Sequence, residues 1–283
     1  MTVLLLTINY SLMILVPATL AVFIWRRTGA PWRFFFMGAV TFVLSQVLHI
    51  PFNAVVQRSG LLPATTATAG LLITALFLGL SSGVFEEVAR YLTYRFWARD
   101  ARTWSRGLML GAGHGGSEAI ILGVLGAVST FSLLAVANNE VAMNALPAEQ
   151  RQVVADALAQ VVNMPAPMLI LGAVERVFAI ACHLAMSLLV LQVFLRRNIG
   201  WLFVSIGFHA ALNMVSVIAV SRVGPYWTEV VVGLFALLAV VIVFRLRGPE
   251  PAEPEPTPLP PPVDADALSL QPSDDALDRS RYS

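Results

Sequence analysis

The sequence has few charged residues and a single cysteine. Asp, Glu, Lys and Arg make up 12% of its 283 residues, about half of the 25% that is usual in soluble domains. All 18 basic residues are Arg and the net charge is +1, so the chain has no strong basic field that would attract nucleic acid. The one cysteine, Cys182, excludes a disulfide within the chain. This composition excludes a soluble globular enzyme, a disordered protein and a disulfide scaffold.

The sequence is rich in long apolar runs. Apolar residues make up 57% of the chain, and seven runs reach the roughly 20 residues that a helix needs to cross a bilayer. Open-edged strands cannot satisfy their backbone in lipid, so these runs are predicted to be helices. The first run lacks the basic segment of a signal peptide and is too long for one, which predicts a retained span. The predicted spans are 3–25, 34–57, 69–94, 107–137, 165–195, 200–221 and 226–244.

The arginines divide unevenly between the two ends of these spans. Cytoplasmic loops carry an excess of basic residues, so the end with more arginines, here called the Arg-rich end, is predicted to be cytoplasmic. The N-terminus would then lie outside and the C-terminus in the cytoplasm, which agrees with an odd number of spans. The eleven arginines at the Arg-rich end are Arg26, Arg27, Arg33, Arg95, Arg99, Arg102, Arg106, Arg196, Arg197, Arg245 and Arg247. The three at the opposite end are Arg58, Arg151 and Arg222.

Two segments lie outside the predicted spans. Within the loop 138–164, apolar residues recur at helical spacing, which predicts an amphipathic helix along the outer interface. Its role is either that of a passive linker, the commoner case for such loops, or that of a cap or lateral gate. Residues 248–283 hold nine of the 17 prolines and eight of the 17 acidic residues, which predicts a disordered cytoplasmic tail. The predicted fold class is therefore all-α: a polytopic membrane helix bundle of about seven transmembrane helices over 1–247, followed by the disordered tail.

Polar side chains interrupt four consecutive spans, the third to the sixth. An ionisable group costs about 2.5–3.5 kcal/mol at the middle of a membrane helix, so each needs a partner or a polar cavity. The arrangement of lowest cost turns all four spans towards one shared cavity. The candidate site residues, which all lie within 80–215, are Glu86, Glu87, Arg90, His114, Glu118, Glu175, His183, His209 and Asn213. Arg176 accompanies Glu175, either as a structural ion pair or as part of the site.

The spacing within each span places these groups on common helix faces. Glu86 and Glu87 precede Arg90 by four and three residues, so either carboxylate can pair with it. Arg176 and His183 are seven residues apart, which puts them on nearly one face across two turns. Two further pairs are four residues apart, namely His114 with Glu118 and His209 with Asn213.

Carboxylates and imidazoles in one restricted cavity are suited to activating water. A carboxylate can take a proton from water, and imidazoles can orient water, bind a metal or stabilise an oxyanion. Three neutral imidazoles also suffice to bind zinc with one position left for water. The zinc ligands would be His114, His183 and His209, although a site without any cofactor agrees equally well with the sequence. The chain has no H-E-x-x-H motif, which excludes that class of zinc protease.

The order of the motifs resembles a known family. E-E-x-x-R at 86–90, H-G-G-x-E at 114–118, E-R followed by a His seven residues after the Arg, and H-x-x-x-N at 209–213 stand on successive spans. They resemble the YhfC-type membrane peptidases, which are similar to the CAAX prenyl proteases of the Abi type and to the PrsW-type site-1 proteases. The resemblance covers 80–215 and implies hydrolysis of a peptide bond within the membrane.

The resemblance also implies roles for individual residues. A glutamate of the first motif and His114 would activate water, while His209 and Asn213 would stabilise the oxyanion. Some members of the group are called metalloproteases, whereas the resemblance to the CAAX enzymes favours a glutamate-dependent mechanism. Glu118 and the pair of Glu175 with His183 depart from the CAAX pattern and are candidates for additional ligands.

Three functions agree with these buried polar groups. The first is an intramembrane endopeptidase, whose partner would be a membrane protein or a lipidated peptide. The second is a proton-coupled transporter that uses the same residues as a relay, although no internal repeat supports it. The third is a scaffold in which the polar groups only lock helices together.

Two other features have structural interpretations. The glycines around His114 indicate close helix packing. His49, alone in the second span, indicates a hydrogen-bonded buried side chain.

Overall fold

Long helices account for nearly all of the chain that the structure covers. The computed structural model describes residues 1–63 and 67–248, and within these ranges the regular secondary structure is helical. The helices of these ranges are α1 (Thr2–Thr28), α2 (Trp32–Arg58), α3 (Thr68–Leu92), α4 (Trp104–Ala137), α5 (Glu140–Ala145), α6 (Ala148–Val162), α7 (Leu171–Leu195), α8 (Gly200–Arg222) and α9 (Pro225–Arg245). A π-helical turn, Thr93–Trp97, continues α3, and a 3₁₀ turn, Ala166–Ile170, precedes α7.

Seven of these helices, α1 to α4 and α7 to α9, are long and apolar enough to cross a membrane. The seven predicted spans agree with them to within a few residues at each end, so the all-α, seven-span prediction is confirmed. The chain is accordingly an integral, multi-pass membrane protein. A helix, α6, forms in the loop where an amphipathic helix is predicted, and its location at the interface stays a prediction. The predicted disordered tail falls on 248–283, of which 249–283 lie outside the described residues.

Polar contacts at the Arg-rich end join the helices that carry the candidate residues. The π turn leaves backbone carbonyls without their usual helical partners, and Arg102 donates to the carbonyl of Tyr94 at 2.9 Å. The Arg102 guanidinium also lies 4.4 Å from the ring centroid of Phe194. The Tyr94 hydroxyl hydrogen-bonds to Ser187 at 2.8 Å, and Ser187 donates to the carbonyl of Gly107 at 2.8 Å. These bonds fix α3, α4 and α7 relative to one another.

Glycines allow α4 to lie close to two neighbours at once. Gly113 is pressed against the backbone of Phe35 on α2, so that an added Cβ atom would collide with it. Gly115 faces α7, where a Cβ atom would stand 2.8 Å from the Cβ of His183. Small residues let helix backbones approach in a membrane, and here they place His114 between α2 and α7. The close-packing interpretation of these glycines is confirmed.

The bundle is densely packed in its Arg-rich half and more open in the other half. In α4 the residues from Gly107 to Gly116 are buried without interruption, whereas none beyond Gly123 is buried. In α7 the uninterrupted buried run is Ala185–Val193, again near the Arg-rich end. His114 and His183 therefore lie at the boundary between the closed and the open half.

Candidate active site

The candidate residues meet at this boundary. All nine either line a cavity of about 120 Å³ among α3, α4, α7, α8 and α9 or contact a residue that lines it. The four polar spans therefore point to one place, while the roles of the nine residues stay predictions. The cavity is lined by Glu86, Glu118, Glu175, Arg176, Ala179, His183, His209, Leu212, Asn213, Ser216 and Val232.

Glu87 is completely buried, and both of its oxygens are occupied. It forms an ion pair with Arg90, one turn further along α3. It also accepts a hydrogen bond from Ser205 Oγ at 2.7 Å, and its Oε1 lies 2.9 Å from Nδ1 of His209. A carboxylate only accepts, so Nδ1 of His209 carries the proton and Nε2 is left for the cavity. Glu87 thereby joins α3 to α8.

Glu86 has a different environment. Its Oε2 lies 3.1 Å from Nε2 of His114, and its Oε1 accepts a hydrogen bond from Nε2 of Gln46 at 3.1 Å. His114 is completely buried, and its Nδ1 has no hydrogen-bond partner among the described residues. Within the described part of the chain no arginine pairs with Glu86. Its carboxylate therefore keeps accepting capacity for a metal, water or substrate.

Glu118 connects α4 to α7. It accepts from Arg176, which also pairs with Glu175, and from Nε2 of His183 at 2.7 Å. The other nitrogen of His183, Nδ1, lies 3.2 Å from Nη2 of Arg90. Because a guanidinium only donates, Nδ1 accepts and Nε2 carries the proton. Arg176 and His183 thus reach the same carboxylate, in agreement with their predicted common face.

Three of these side chains stand close enough to hold one metal ion. One donor atom from each of Glu86, His114 and His183 lies within 4.8 Å of the other two. The buried, unpartnered Nδ1 of His114 and the set of two imidazoles and a carboxylate fit zinc. His183 would exchange one of its two contacts on binding the ion. The group differs from the three imidazoles considered above: Glu86 stands in the place of His209, whose ring nitrogens are not among the donor atoms that lie within 4.8 Å of one another.

The charge of the cluster also fits a cation. Four carboxylates face two guanidinium groups, so with neutral imidazoles two negative charges have no partner. Uncompensated charge is unfavourable away from water. A divalent cation, or protons on two imidazoles, would balance the cluster. The groups counted are the carboxylates of Glu86, Glu87, Glu118 and Glu175, of which the last is 44% exposed, and the guanidinium groups of Arg90 and Arg176.

A groove of about 400 Å³ between α2 and α4, here called the lateral groove, leads to the cavity. Glu86, Glu118 and Asn213 line both the lateral groove and the cavity. These three residues therefore form the junction of an apolar passage and a polar chamber. The apolar walls of the groove are Phe42, Val43, Ile50, Ile121, Leu122 and Leu125.

A second opening, of about 430 Å³, lies at the end opposite the Arg-rich end. It shares Glu175, Ser216 and Val232 with the cavity. Glu229, one turn into α9, borders this opening, and its Oε2 is buried without a hydrogen-bond partner among the described residues. The cavity is thus bordered by two passages, each of which has apolar walls and two carboxylates.

Sequence reasoning missed three side chains that touch or border the site. Gln46 and Ser205 are uncharged, so they lack the high cost of membrane insertion that marks ionisable residues within apolar spans. Ser205 precedes His209 by four residues, and this helical spacing is the signal that could have linked the two. Glu229 lies close to a span end, where an acidic residue is typical of the interface and carries no functional signal.

Comparison with known proteins agrees with the resemblance seen in the motifs. Residues 12–236 match the family described as YhfC intramembrane metalloprotease. The chain is also 32% identical over 260 residues to the "Uncharacterized membrane protein YhfC" of Bacillus subtilis (strain 168), covering 86% of this chain and 95% of that protein. No solved structure matches the chain. The match extends well beyond the motif-bearing segment 80–215, while the link to CAAX and PrsW proteases stays a prediction. The chain belongs to the YhfC intramembrane metalloprotease family.

Proposed function

We propose that this protein is an intramembrane endopeptidase that hydrolyses a peptide bond of a membrane-embedded or lipidated substrate. The observation that carries the proposal is the junction of Glu86, Glu118 and Asn213 between the lateral groove and the polar cavity. An apolar segment can enter such a groove from the bilayer, and the polar groups at its end are where water and a peptide bond can meet. The family's description as a metalloprotease supports the same reaction.

The residues of the junction suit the two proton transfers of peptide hydrolysis. In the version with a bound ion, where Glu86 is a ligand, Glu118 takes a proton from the attacking water as the water oxygen bonds to the carbonyl carbon. Asn213 donates an amide hydrogen bond to the carbonyl oxygen as that oxygen gains charge. Glu118 then gives the proton to the leaving nitrogen, the C–N bond breaks, and an amine and a carboxylic acid leave. Arg176 orients the charged form of Glu118 through their ion pair.

Glu86, His114 and His183 are the residues that would hold a zinc ion. When bound, zinc supplies Lewis-acid stabilisation of the carbonyl and activation of water. In the version of the mechanism without a metal, Glu86 itself takes the proton from water and His114 orients the Glu86 carboxylate, as the resemblance to the CAAX enzymes implies.

The lateral groove favours hydrolysis over proton-coupled transport, because an apolar passage beside the bilayer suits the entry of a membrane-embedded peptide segment. Proton-coupled uptake into proteoliposomes without any hydrolysis would favour the transporter.

The proposal is tested by profiling peptide N-termini in membranes of cells that carry either the wild-type chain or Glu86→Gln. We expect new N-termini within membrane segments in the wild type and a loss of at least about 100-fold in the variant, since a group that moves the proton or binds the ion is removed. Glu149→Gln, the same change at an exposed residue of α6, is the matched control. Identical N-termini from wild type and Glu86→Gln would contradict the proposal.

Metal content separates the two versions of the mechanism. Zinc in unit ratio in the purified protein, with cleavage lost on chelation, supports the zinc version. Cleavage that persists in metal-free protein supports the glutamate version.

The Arg distribution supports a cytoplasmic location for the Arg-rich end, with the second opening facing outwards. A C-terminal reporter enzyme that is active only outside the cell should therefore stay inactive. Activity of this reporter would reverse the proposed orientation.

A further inference from the structure

A chain of hydrogen bonds runs along α2 towards Glu86. Nε2 of Gln46 donates to Oε1 of Glu86 at 3.1 Å, and Oε1 of Gln46 lies 3.2 Å from Nδ1 of His49. Asn53 Nδ2 lies 2.9 Å from Nε2 of His49. His49 is 8% exposed, so it is the buried, hydrogen-bonded side chain that the sequence indicates. The proposed reaction gives none of these α2 residues a part.

The chemistry of the groups sets the direction of every bond in this chain. A carboxylate only accepts, so Gln46 presents its NH₂ group to Glu86 and its carbonyl oxygen to His49. That oxygen accepts, so Nδ1 of His49 carries the proton. Nε2 of His49 is then an acceptor and matches the Asn53 amide that donates to it. All three bonds therefore point their hydrogens towards Glu86, and bonds aligned in this way strengthen one another.

The alignment also prevents the Gln46 amide from turning over. If its oxygen faced Glu86, two acceptors would oppose each other, so the carboxylate itself sets the orientation of the amide. His49 donates from Nδ1 to the Gln46 oxygen in this orientation and holds the side chain in place, and Gln46 fixes one oxygen of Glu86. The second oxygen of Glu86 is left facing His114 at 3.1 Å.

We propose that Gln46, held by His49, is a positioning residue that keeps the Glu86 carboxylate turned towards His114 and His183, with which it forms the metal-binding group. The inference rests on the proposed function, because it gives Gln46 a purpose only if Glu86 binds the ion. Hydrogen-bond partners of metal-binding side chains orient them, and loss of such a partner lowers metal affinity about 10- to 100-fold. Without Gln46, the Glu86 side chain can swing into the lateral groove, which it also lines.

The test is a titration of the purified, full-length protein with Zn²⁺ in detergent. Gln46→Met keeps the length of the side chain and removes its hydrogen bonds, and we expect about 10- to 100-fold weaker zinc binding. His49→Leu should weaken zinc binding in the same direction. His49→Asn should stay near wild type, because the Asn amide nitrogen can take the place of Nδ1. Ser81→Ala is the matched control, since it removes the other polar neighbour of His49, 3.2 Å away, and leaves the chain intact.

Each outcome bears on the proposal. Unchanged zinc affinity in Gln46→Met and His49→Leu, with affinity lost in Glu86→Gln, would overturn the positioning role and leave the metal-binding group intact. Equal losses in His49→Asn and His49→Leu would overturn the part assigned to the Nδ1 hydrogen bond. A wild-type protein that binds no zinc would overturn both the metal-binding group and this inference. If Gln46→Met does not fold, Gln46→Ala provides the same comparison.

Discussion

The surroundings of Glu86 and of Glu87 differ sharply, although the two residues are neighbours on α3. Around Glu87, an arginine, a serine and an imidazole occupy both oxygens in a fully buried environment. Around Glu86, the partners are an amide and an imidazole, and the carboxylate borders both the cavity and the lateral groove. The carboxylate of Glu87 is fully occupied by its partners, whereas that of Glu86 can accept further hydrogen bonds or bind an ion.

This difference reconciles two of the functions that the sequence leaves open. The environment of Glu87 locks α3 to α8, as a scaffold would require. The environment of Glu86 offers free lone pairs beside a cavity of about 120 Å³, as catalysis would require. In the proposed function, a single E-E-x-x-R motif therefore contributes one residue to stability and one to chemistry.

Among the predicted changes in stability, the largest loss is expected from Glu87→Gln. This change leaves Arg90 buried without a counter-charge, which typically costs about 3–5 kcal/mol of unfolding free energy. Thermal unfolding in detergent measures the loss. Glu86→Gln is the matched control: it leaves no buried arginine unpaired and relieves repulsion in a cluster of excess negative charge, so its stability should equal or exceed that of the wild type.

A double variant sharpens this comparison. Glu87→Gln combined with Arg90→Met removes both buried charges, and much of the lost stability should return. Equal destabilisation by Glu86→Gln and Glu87→Gln would show that the two environments do not differ as described.

Gly115→Ala should cause a smaller loss of stability. The added methyl would press on His183, and overpacking of this kind costs about 1–3 kcal/mol. Because His183 belongs to the metal-binding group, zinc affinity should fall as well. Gly207→Ala is the control, since a Cβ atom there meets nothing within 4 Å. If both variants bind zinc as the wild type does, close contact of α4 with His183 is not needed for the site.

The sequence predicted the spans and the convergence of the polar helices because both follow from the cost of polar groups in lipid. It could not choose between Glu86 and Glu87 as the partner of Arg90, since spacings of three and four residues both permit contact. The rotation of α3 that settles the choice depends on Gly79 and Gly83, which pack against the backbone of α8.

Contacts between helices were the harder part to predict. His114 and Glu118 share a helix face by spacing, yet His114 contacts Glu86 of α3 and Glu118 contacts His183 of α7. These pairings depend on helix order and depth, which a single sequence does not contain. The sequence did not identify Gln46 for the same reason, because its hydrogen-bond partner, Glu86, lies 40 positions away along the chain.

A divalent ion bound at this cluster of excess carboxylates would make the stability of the fold a reporter of ion occupancy. A ligand that binds only the folded chain raises the unfolding free energy by RT ln(1 + [L]/Kd), about 2.7 kcal/mol at 100 times Kd. Melting curves recorded across a panel of divalent ions would therefore rank those ions before any substrate is known. In a cell starved of the preferred ion, the same linkage would reduce the amount of folded protein in the membrane.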